Sequence, residues 1–178
     1  MRDARGAVRR LVGLLSVVGV TVALTMVTGG SAEAAVTLWE IQRPDPFTPK
    51  CLDIKTEDPP SNALVQEWHC SGGDEQHFEV FAAVSPGLVE IVDKRNQNCL
   101  TVPSPNELTL GADLRMTPCT LRPNQLWKLD HLFGSTYFIE QYGSNMCVDV
   151  RGGNWGDGTH IQQWTCNGSN AQQWQFLS

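Results

Sequence analysis

The sequence predicts an all-β fold that closes into a body with approximate threefold symmetry, and three features of the chain lead to this prediction. The six cysteines recur at a nearly constant spacing, which indicates an internal repeat. Short runs rich in β-branched and aromatic residues alternate with Gly, Pro, Asn and Asp, a pattern typical of strands and turns. After residue 36 no segment shows the periodicity of an amphipathic helix.

The first 34 residues have the features of a secretory signal peptide. Four arginines lie within residues 1–10, an apolar run spans residues 11–27, and Ala32-Glu33-Ala34 supplies small residues at the predicted cleavage site. The alternative is an uncleaved anchor, but the apolar run is at the short end of what a membrane span requires. We therefore expect residues 35–178 to form a secreted, extracellular domain with no membrane contact, in a compartment that permits disulfides.

Composition and charge disfavour several classes of function. The 178 residues carry a net charge of −6, which disfavours binding to the phosphates of nucleic acids. No C-x-x-C or H-x-x-x-H spacing indicates a metal site, and no nucleophile motif is present. We therefore predict a protein that is not an enzyme and needs no cofactor or metal.

The cysteines divide the chain after the signal peptide into three units of about 48 residues. The first cysteine of each unit is followed about 20 residues later by the second. The predicted units cover residues 37–82, 83–131 and 132–178. Their cysteine pairs are, in order, Cys51 and Cys70, Cys99 and Cys119, and Cys147 and Cys166.

Each unit also contains a Gln-x-aromatic triplet whose last residue lies 8 positions after the second cysteine. Predicted strands at residues 37–41, 88–92 and 137–141 begin the units, and each unit has room for about four short strands. One such unit cannot bury its own apolar face, so three must share a core, and closure removes exposed strand edges. The triplets are Gln76-His77-Phe78, Gln125-Leu126-Trp127 and Gln172-Gln173-Trp174.

These motifs resemble the ricin-type lectin family, and in particular its secreted bacterial members. The resemblance is carried by the Cys-Leu-Asp opening at Cys51, the Gly-Thr-x-Ile-Gln-x-Trp-x-Cys-Asn-Gly run that begins at Gly158, and the three triplets. It covers nearly all of residues 37–178. It implies a β-trefoil of twelve strands, in which a six-stranded barrel is capped by three hairpins, and one shallow sugar site per unit.

Six cysteines allow 15 disulfide pairings. The repeat symmetry favours pairing within each unit, as Cys51–Cys70, Cys99–Cys119 and Cys147–Cys166. A metal site is the competing interpretation, and predicted export disfavours it.

The third unit carries the most complete candidate sugar site. A pyranose presents a face of C–H groups that a flat aromatic ring covers, while its hydroxyls need donors and acceptors such as Asp, Asn and Gln. Asp149, Gln162, Trp164 and Asn170 provide these groups, and the resemblance assigns the hydroxyl acceptor to Asp149 and the stacking ring to Trp164. The family's Asn position is occupied here by Ala171.

The first unit repeats this set with Asp53, Gln66 and Trp68, and has Glu75 at the family's Asn position. We therefore predict a second site with an altered preference. Gln76 and Gln172 of the triplets are expected to orient the neighbouring aspartates or to hold backbone groups.

The second unit is predicted to be silent, because Thr101 and Thr117 replace the acid and the ring, and Arg115 replaces the glutamine. Two alternatives stay open for the other units. Their aspartates can be turn residues that satisfy backbone donors, and their tryptophans can be cross-strand packing.

The resulting expectation is a secreted, non-catalytic carbohydrate-binding protein for galactose-type or xylan-type glycans. A glycosidase needs two carboxylates at one cleft, whereas Asp53 and Asp149 fall in different units. The alternative is a trefoil scaffold with degenerate sugar sites, which acts through protein contact as an inhibitor or as an accessory subunit of a toxin or enzyme.

Overall fold

The structure, a computed structural model, describes residues 37–178 apart from residue 46, so the predicted signal peptide and its cleavage site lie outside the described residues. The described residues form twelve strands and five short 3₁₀ turns. The strands are β1 (Leu38–Arg43), β2 (Lys50–Ile54), β3 (Ala63–His69), β4 (His77–Ala82), β5 (Leu88–Asp93), β6 (Asn98–Thr101), β7 (Arg115–Pro118), β8 (Trp127–Phe133), β9 (Thr136–Gln141), β10 (Cys147–Val150), β11 (Thr159–Trp164) and β12 (Trp174–Leu177).

Six of these strands close into a barrel. Going round the ring, β1 pairs with β4, β4 with β5, β5 with β8, β8 with β9, β9 with β12, and β12 with β1, always antiparallel. Because the ring closes, its strands present no unpaired edge. The strands predicted from the sequence at the start of each unit are β1, β5 and β9, and their observed bounds differ from the predicted ones by at most two residues.

The other six strands form three hairpins, β2–β3, β6–β7 and β10–β11. Strand β3 pairs with both β7 and β11, and a single bridge joins Asp113 to Gln162. The hairpins therefore contact one another, so that residues of different units meet between them. The ring and its three hairpins are the arrangement implied by the resemblance to ricin-type lectins.

The core is built around the aromatic residues of the three triplets. Phe78, Trp127 and Trp174 are all fully buried. The indole N–H of Trp127 donates to the Leu100 carbonyl at 3.0 Å, and that of Trp174 donates to the Val148 carbonyl at 3.0 Å. The one polar group of each indole is therefore hydrogen-bonded although the ring is buried.

Three disulfides connect the cysteines as the repeat symmetry favoured, Cys51–Cys70, Cys99–Cys119 and Cys147–Cys166. Their Cα–Cα distances of 5.1, 5.0 and 5.0 Å lie within the ordinary range for disulfides. Each closes a loop for which the chain-entropy account gives about 3 kcal/mol of stabilisation. Within residues 37–178, no helix has the length and apolarity needed to cross a bilayer.

Candidate functional site

A buried carboxylate lies at the centre of the third unit's hairpin. Asp149 of β10 is 5% exposed and pairs across the hairpin with Gln162 of β11. The Gln162 side-chain amide donates to Asp149 Oδ1 at 2.8 Å, and the Gln172 amide donates to Oδ2 at 3.0 Å. Each oxygen thus accepts one hydrogen bond from the protein, and the remaining lone pairs can accept further donors.

Gln172 has a second role in the same place. Its amide also donates to the Thr165 carbonyl at 2.9 Å, and its own oxygen accepts the Asn167 backbone N–H at 2.8 Å. Gln172 therefore fixes the segment after β11 and the carboxylate of Asp149 together, which combines the two roles expected from the sequence.

The carboxylate opens onto a groove of about 750 Å³ beside the indole of Trp164. Trp164 is 37% exposed and lines this groove. Asp149, Gln162, Trp164 and Asn170 all line this groove, so the structure brings the four predicted residues together. Ala171 lies in the lining next to Asn170, in the position where the family has Asn.

The first unit contains a second groove, of about 480 Å³, with the same arrangement. Gln66 donates to Asp53 Oδ1 at 2.8 Å, and Gln76 donates to Oδ2 at 2.9 Å and to the His69 carbonyl at 3.0 Å. Asp53 is 4% exposed, and Trp68, which lines the groove, is partly exposed. The predicted first-unit residues are therefore also brought together.

The first groove is more acidic than the third. Glu57 and Glu75 line it together with Asp53, and Lys55 is the cation among its lining residues. Burial raises the pKa of Asp53, hydrogen bonds from the two glutamines lower it, and the charges of Glu75 and Glu57 raise it, with a net shift upward.

The second unit has the same type of hairpin, β6–β7, but different side chains at the corresponding positions. Thr101 and Thr117 occupy the positions of the acid and the ring, and their hydroxyls are 2.8 Å apart. The Gln125 amide, whose counterparts Gln76 and Gln172 donate to a carboxylate, donates to these hydroxyls at 3.0 and 3.1 Å. Arg115 donates to the Asn62 carbonyl of the first unit at 2.8 Å. The two hydroxyls and the Gln125 amide thus satisfy one another, while Arg115 is bound to the first unit. That this unit binds no sugar stays a prediction.

Each groove tryptophan lies against a glycine of another unit. A Cβ atom placed on Gly111 would lie 3.3 Å from Trp164 Cζ3, and one placed on Gly158 would lie 3.5 Å from Trp68 Cζ3. Both glycines have positive φ, of +77° and +83°, which L-residues rarely adopt. These two glycines therefore lie where they can support the rings.

Replacing Gly111 with alanine tests this support, and Gly87→Ala is a matched control. Gly87 has φ +79°, and a Cβ placed there would have no atom within 4 Å. Both variants should lose about 1–2 kcal/mol of unfolding free energy from the left-handed backbone, measured by urea denaturation. Only Gly111→Ala should change the near-UV circular dichroism of the tryptophans, because only its added Cβ would contact a tryptophan ring. Identical spectra for the two variants would contradict the proposed contact.

Sequence reasoning missed several residues of the grooves. Arg43 of β1 and Arg151, which follows β10, line the third groove, and His160 lines the first. Trp155 stacks on Arg43, with the guanidinium carbon 3.5 Å from the ring centroid. Arg43 reaches the third groove from the first unit, so an offset within one unit gives no signal for it.

Glu90 lies near the sulfurs of Cys99 and Cys119, the type of cluster that can hold a metal ion. Both sulfurs form a disulfide, so they have no thiolate to offer as a ligand.

Comparison with known proteins places this geometry in a family. The profile described as "Ricin-type beta-trefoil lectin domain" matches residues 37–174. No curated protein sequence matches the chain significantly.

Several solved structures are similar to this chain. The designed threefold symmetric protein ThreeFoil is 23% identical with a TM-score of 0.72, and the match covers 79% of this chain and 98% of ThreeFoil. A ricin B-like lectin of Macrolepiota procera, solved in complex with lactose, is 15% identical with a TM-score of 0.65, over 80% of this chain and 96% of that one.

An exo-beta-1,3-galactanase from Clostridium thermocellum is 22% identical with a TM-score of 0.69, over 82% of this chain but 30% of the galactanase. At these identities the likeness shows a common fold alone. Together with the family profile, it establishes that the chain belongs to the ricin-type beta-trefoil lectin domain family and has the all-β, β-trefoil fold of that family.

Proposed function

We propose that this protein is a secreted, non-catalytic lectin that binds glycans in the grooves of its first and third units. One observation carries the proposal. In both units a buried aspartate is held by two glutamine amides at a groove that a partly exposed tryptophan also lines. The proposed units are residues 37–82, 83–131 and 132–178, with the second unit silent.

The chemistry of the grooves fits a sugar ring. The indole of Trp164 offers a flat face for the C–H side of a pyranose, and the carboxylate of Asp149 can accept sugar hydroxyls in charge-assisted hydrogen bonds. Because Gln162 and Gln172 hold the carboxylate in place before a ligand arrives, binding need not spend free energy on ordering it. Asn170 adds an amide at the edge of the groove.

The proposed ligands are galactose-type sugars or xylan-type polymers. The lactose complex of the Macrolepiota procera lectin supports the galactose type, since lactose contains galactose. Shallow sites bind single sugars weakly, and two sites on one chain raise the avidity for a polymer with repeated epitopes.

A glycan array, followed by pull-downs with insoluble xylan and galactan, tests the proposal. We expect binding to at least one glycan class, and loss of that binding in the Asp53→Ala/Asp149→Ala double variant. Thr101→Ala/Thr117→Ala is the control, because it removes the hydroxyls at the acid and ring positions of the second unit and should leave glycan binding normal.

Absence of binding at millimolar sugar would contradict the lectin function. It would favour the alternative of a scaffold that acts through protein contact, for which the Thr101–Thr117 replacement in the second unit is the motivating observation.

The raised pKa of Asp53 predicts that the first site weakens in mild acid. In an Asp149→Ala background, affinity for the glycan should fall as the pH decreases through this raised pKa, because protonation converts an acceptor oxygen into a donor. A folded-state pKa above the unfolded value means that this group favours the folded state more as the pH falls, so its protonation does not unfold the protein. Titration calorimetry between pH 7 and pH 4 measures the change, and a constant affinity would contradict the prediction.

A further inference from the structure

A buried arginine from the first unit holds the wall of the third-unit groove. Arg43 at the end of β1 is 3% exposed. Its Nη1 donates to the Asn154 carbonyl at 2.7 Å, and its Nη2 donates to the Gly153 carbonyl at 3.1 Å. The ring of Trp155 lies over the guanidinium at 3.5 Å. Three consecutive residues of one loop therefore contact a single buried cation.

The segment that Arg43 contacts contains two consecutive glycines, whose backbone can adopt many conformations. Gly152 and Gly153 line the groove and have φ of +66° and +64°, two consecutive residues in the left-handed region. Glycine populates many backbone conformations in the absence of other restraints. Hydrogen bonds from a charged donor to carbonyls of this segment select one of these conformations.

The counter-charge of Arg43 lies in the hairpin of the other groove. Glu67 of β3 is fully buried between Gln66 and Trp68 in sequence, and its Oε2 accepts from Arg43 Nη1 at 3.1 Å. The Glu67 backbone carbonyl also accepts the Gly158 N–H at 2.8 Å. The loop from residue 151 to residue 158 is thus attached near both ends to the first unit.

We propose that Arg43 is a positioning residue for the third-unit groove, which fixes the Gly152–Gly153 wall in the conformation that receives the sugar. The proposal rests on the proposed lectin function. In this proposal Arg43 acts through the loop and not on the sugar, because it is 3% exposed and its Nη atoms donate to Glu67 and to the two carbonyls.

The test removes the ion pair without leaving a buried charge. Arg43→Met alone would strand the charge of Glu67 and destabilise the fold, so the informative variant is Arg43→Met/Glu67→Leu, since paired apolar replacements of a buried ion pair are often tolerated. Third-site affinity is measured in an Asp53→Ala background and first-site affinity in an Asp149→Ala background, both by calorimetry with the glycan that the array identifies.

We expect the third site of this double variant to bind the glycan about tenfold more weakly. Such a decrease corresponds to a loop that adopts the binding conformation in about one tenth of the molecules. The glycan affinity of the first site should change by less than about twofold, because the backbone carbonyl of residue 67, which accepts the Gly158 N–H, is retained. Arg43→Lys, which keeps the charge but has a single nitrogen in place of the fork, should give an intermediate third-site affinity. Equal losses at both sites would indicate a merely structural role and overturn the proposal.

Hydrogen exchange of residues 151–158 without any glycan provides an independent measurement. Faster exchange of this loop in the double variant, with unchanged exchange in β6 and β7 as the control, supports the positioning role. Unchanged exchange of the loop overturns it, whatever the binding data show. Absence of glycan binding in the Asp53→Ala parent overturns the lectin function at the third site, and the sugar-positioning role falls with it.

Discussion

Replacing Asp149 with alanine is expected to abolish glycan binding at the third-unit groove. The substitution removes the carboxylate that we propose as the hydroxyl acceptor, and hydrogen bonds to charged groups contribute about 1.5–3 kcal/mol each. Loss of two such bonds corresponds to a decrease in affinity of at least about a hundredfold. Calorimetry in an Asp53→Ala background, where only the third site remains, measures the decrease.

The same substitution also removes an acceptor from two buried amide groups, although Gln172 keeps the Thr165 carbonyl. Gln162 and Gln172 donate to the two oxygens of Asp149, and unsatisfied buried donors cost about 1–3 kcal/mol. The free energy of unfolding should therefore fall as well, and binding must be measured at a temperature where the variant is folded.

The control for this loss of stability is Asp53→Ala, which likewise removes one acceptor from Gln66 and one from Gln76, while Gln76 keeps the His69 carbonyl. It should have a comparable stability but retain third-site affinity. Trp164→Ala, which leaves the carboxylate and both amides in place, should also lose third-site binding. If Asp149→Ala and Trp164→Ala both bound glycan as the parent does, the assignment of this groove would be wrong.

The parts of the site that could be predicted from the sequence are those that lie within one unit. Asp149 and Gln162 face each other because they are on adjacent strands of one hairpin, and their offsets from the cysteines match those of Asp53 and Gln66. A repeat in the sequence therefore preserves both the local register and the contacts that depend on it.

The contacts between units could not be predicted in this way. Arg43 is separated by 111 residues from Asn154, whose carbonyl it binds, and no offset within a repeat connects the two. Gly111 lies against Trp164 because hairpins of different units pack together, and that packing follows from closure of the whole barrel. The raised pKa of Asp53 likewise depends on how deeply the folded chain buries it.

Replacing Trp127 with alanine is expected to be among the most destabilising substitutions in the chain. The ring is fully buried in the shared core, and its N–H satisfies the Leu100 carbonyl at 3.0 Å. Truncation of a buried Trp to alanine costs about 3–5 kcal/mol because it removes apolar contacts and leaves a cavity. Urea denaturation followed by far-UV circular dichroism measures the change in unfolding free energy.

Trp127→Phe separates the contribution of the ring from that of its N–H. The first unit has Phe78, fully buried, at the corresponding position, so the barrel already accepts a phenyl ring at one of the three places. The Phe variant should lose about 1–3 kcal/mol, mainly because the Leu100 carbonyl loses its donor. A Trp127→Ala loss no larger than that of Trp127→Phe would mean that the three aromatic residues do not share one tightly packed core. We expect a larger loss of unfolding free energy for alanine. The three units share one core, so removing the ring of one unit should destabilise the whole barrel.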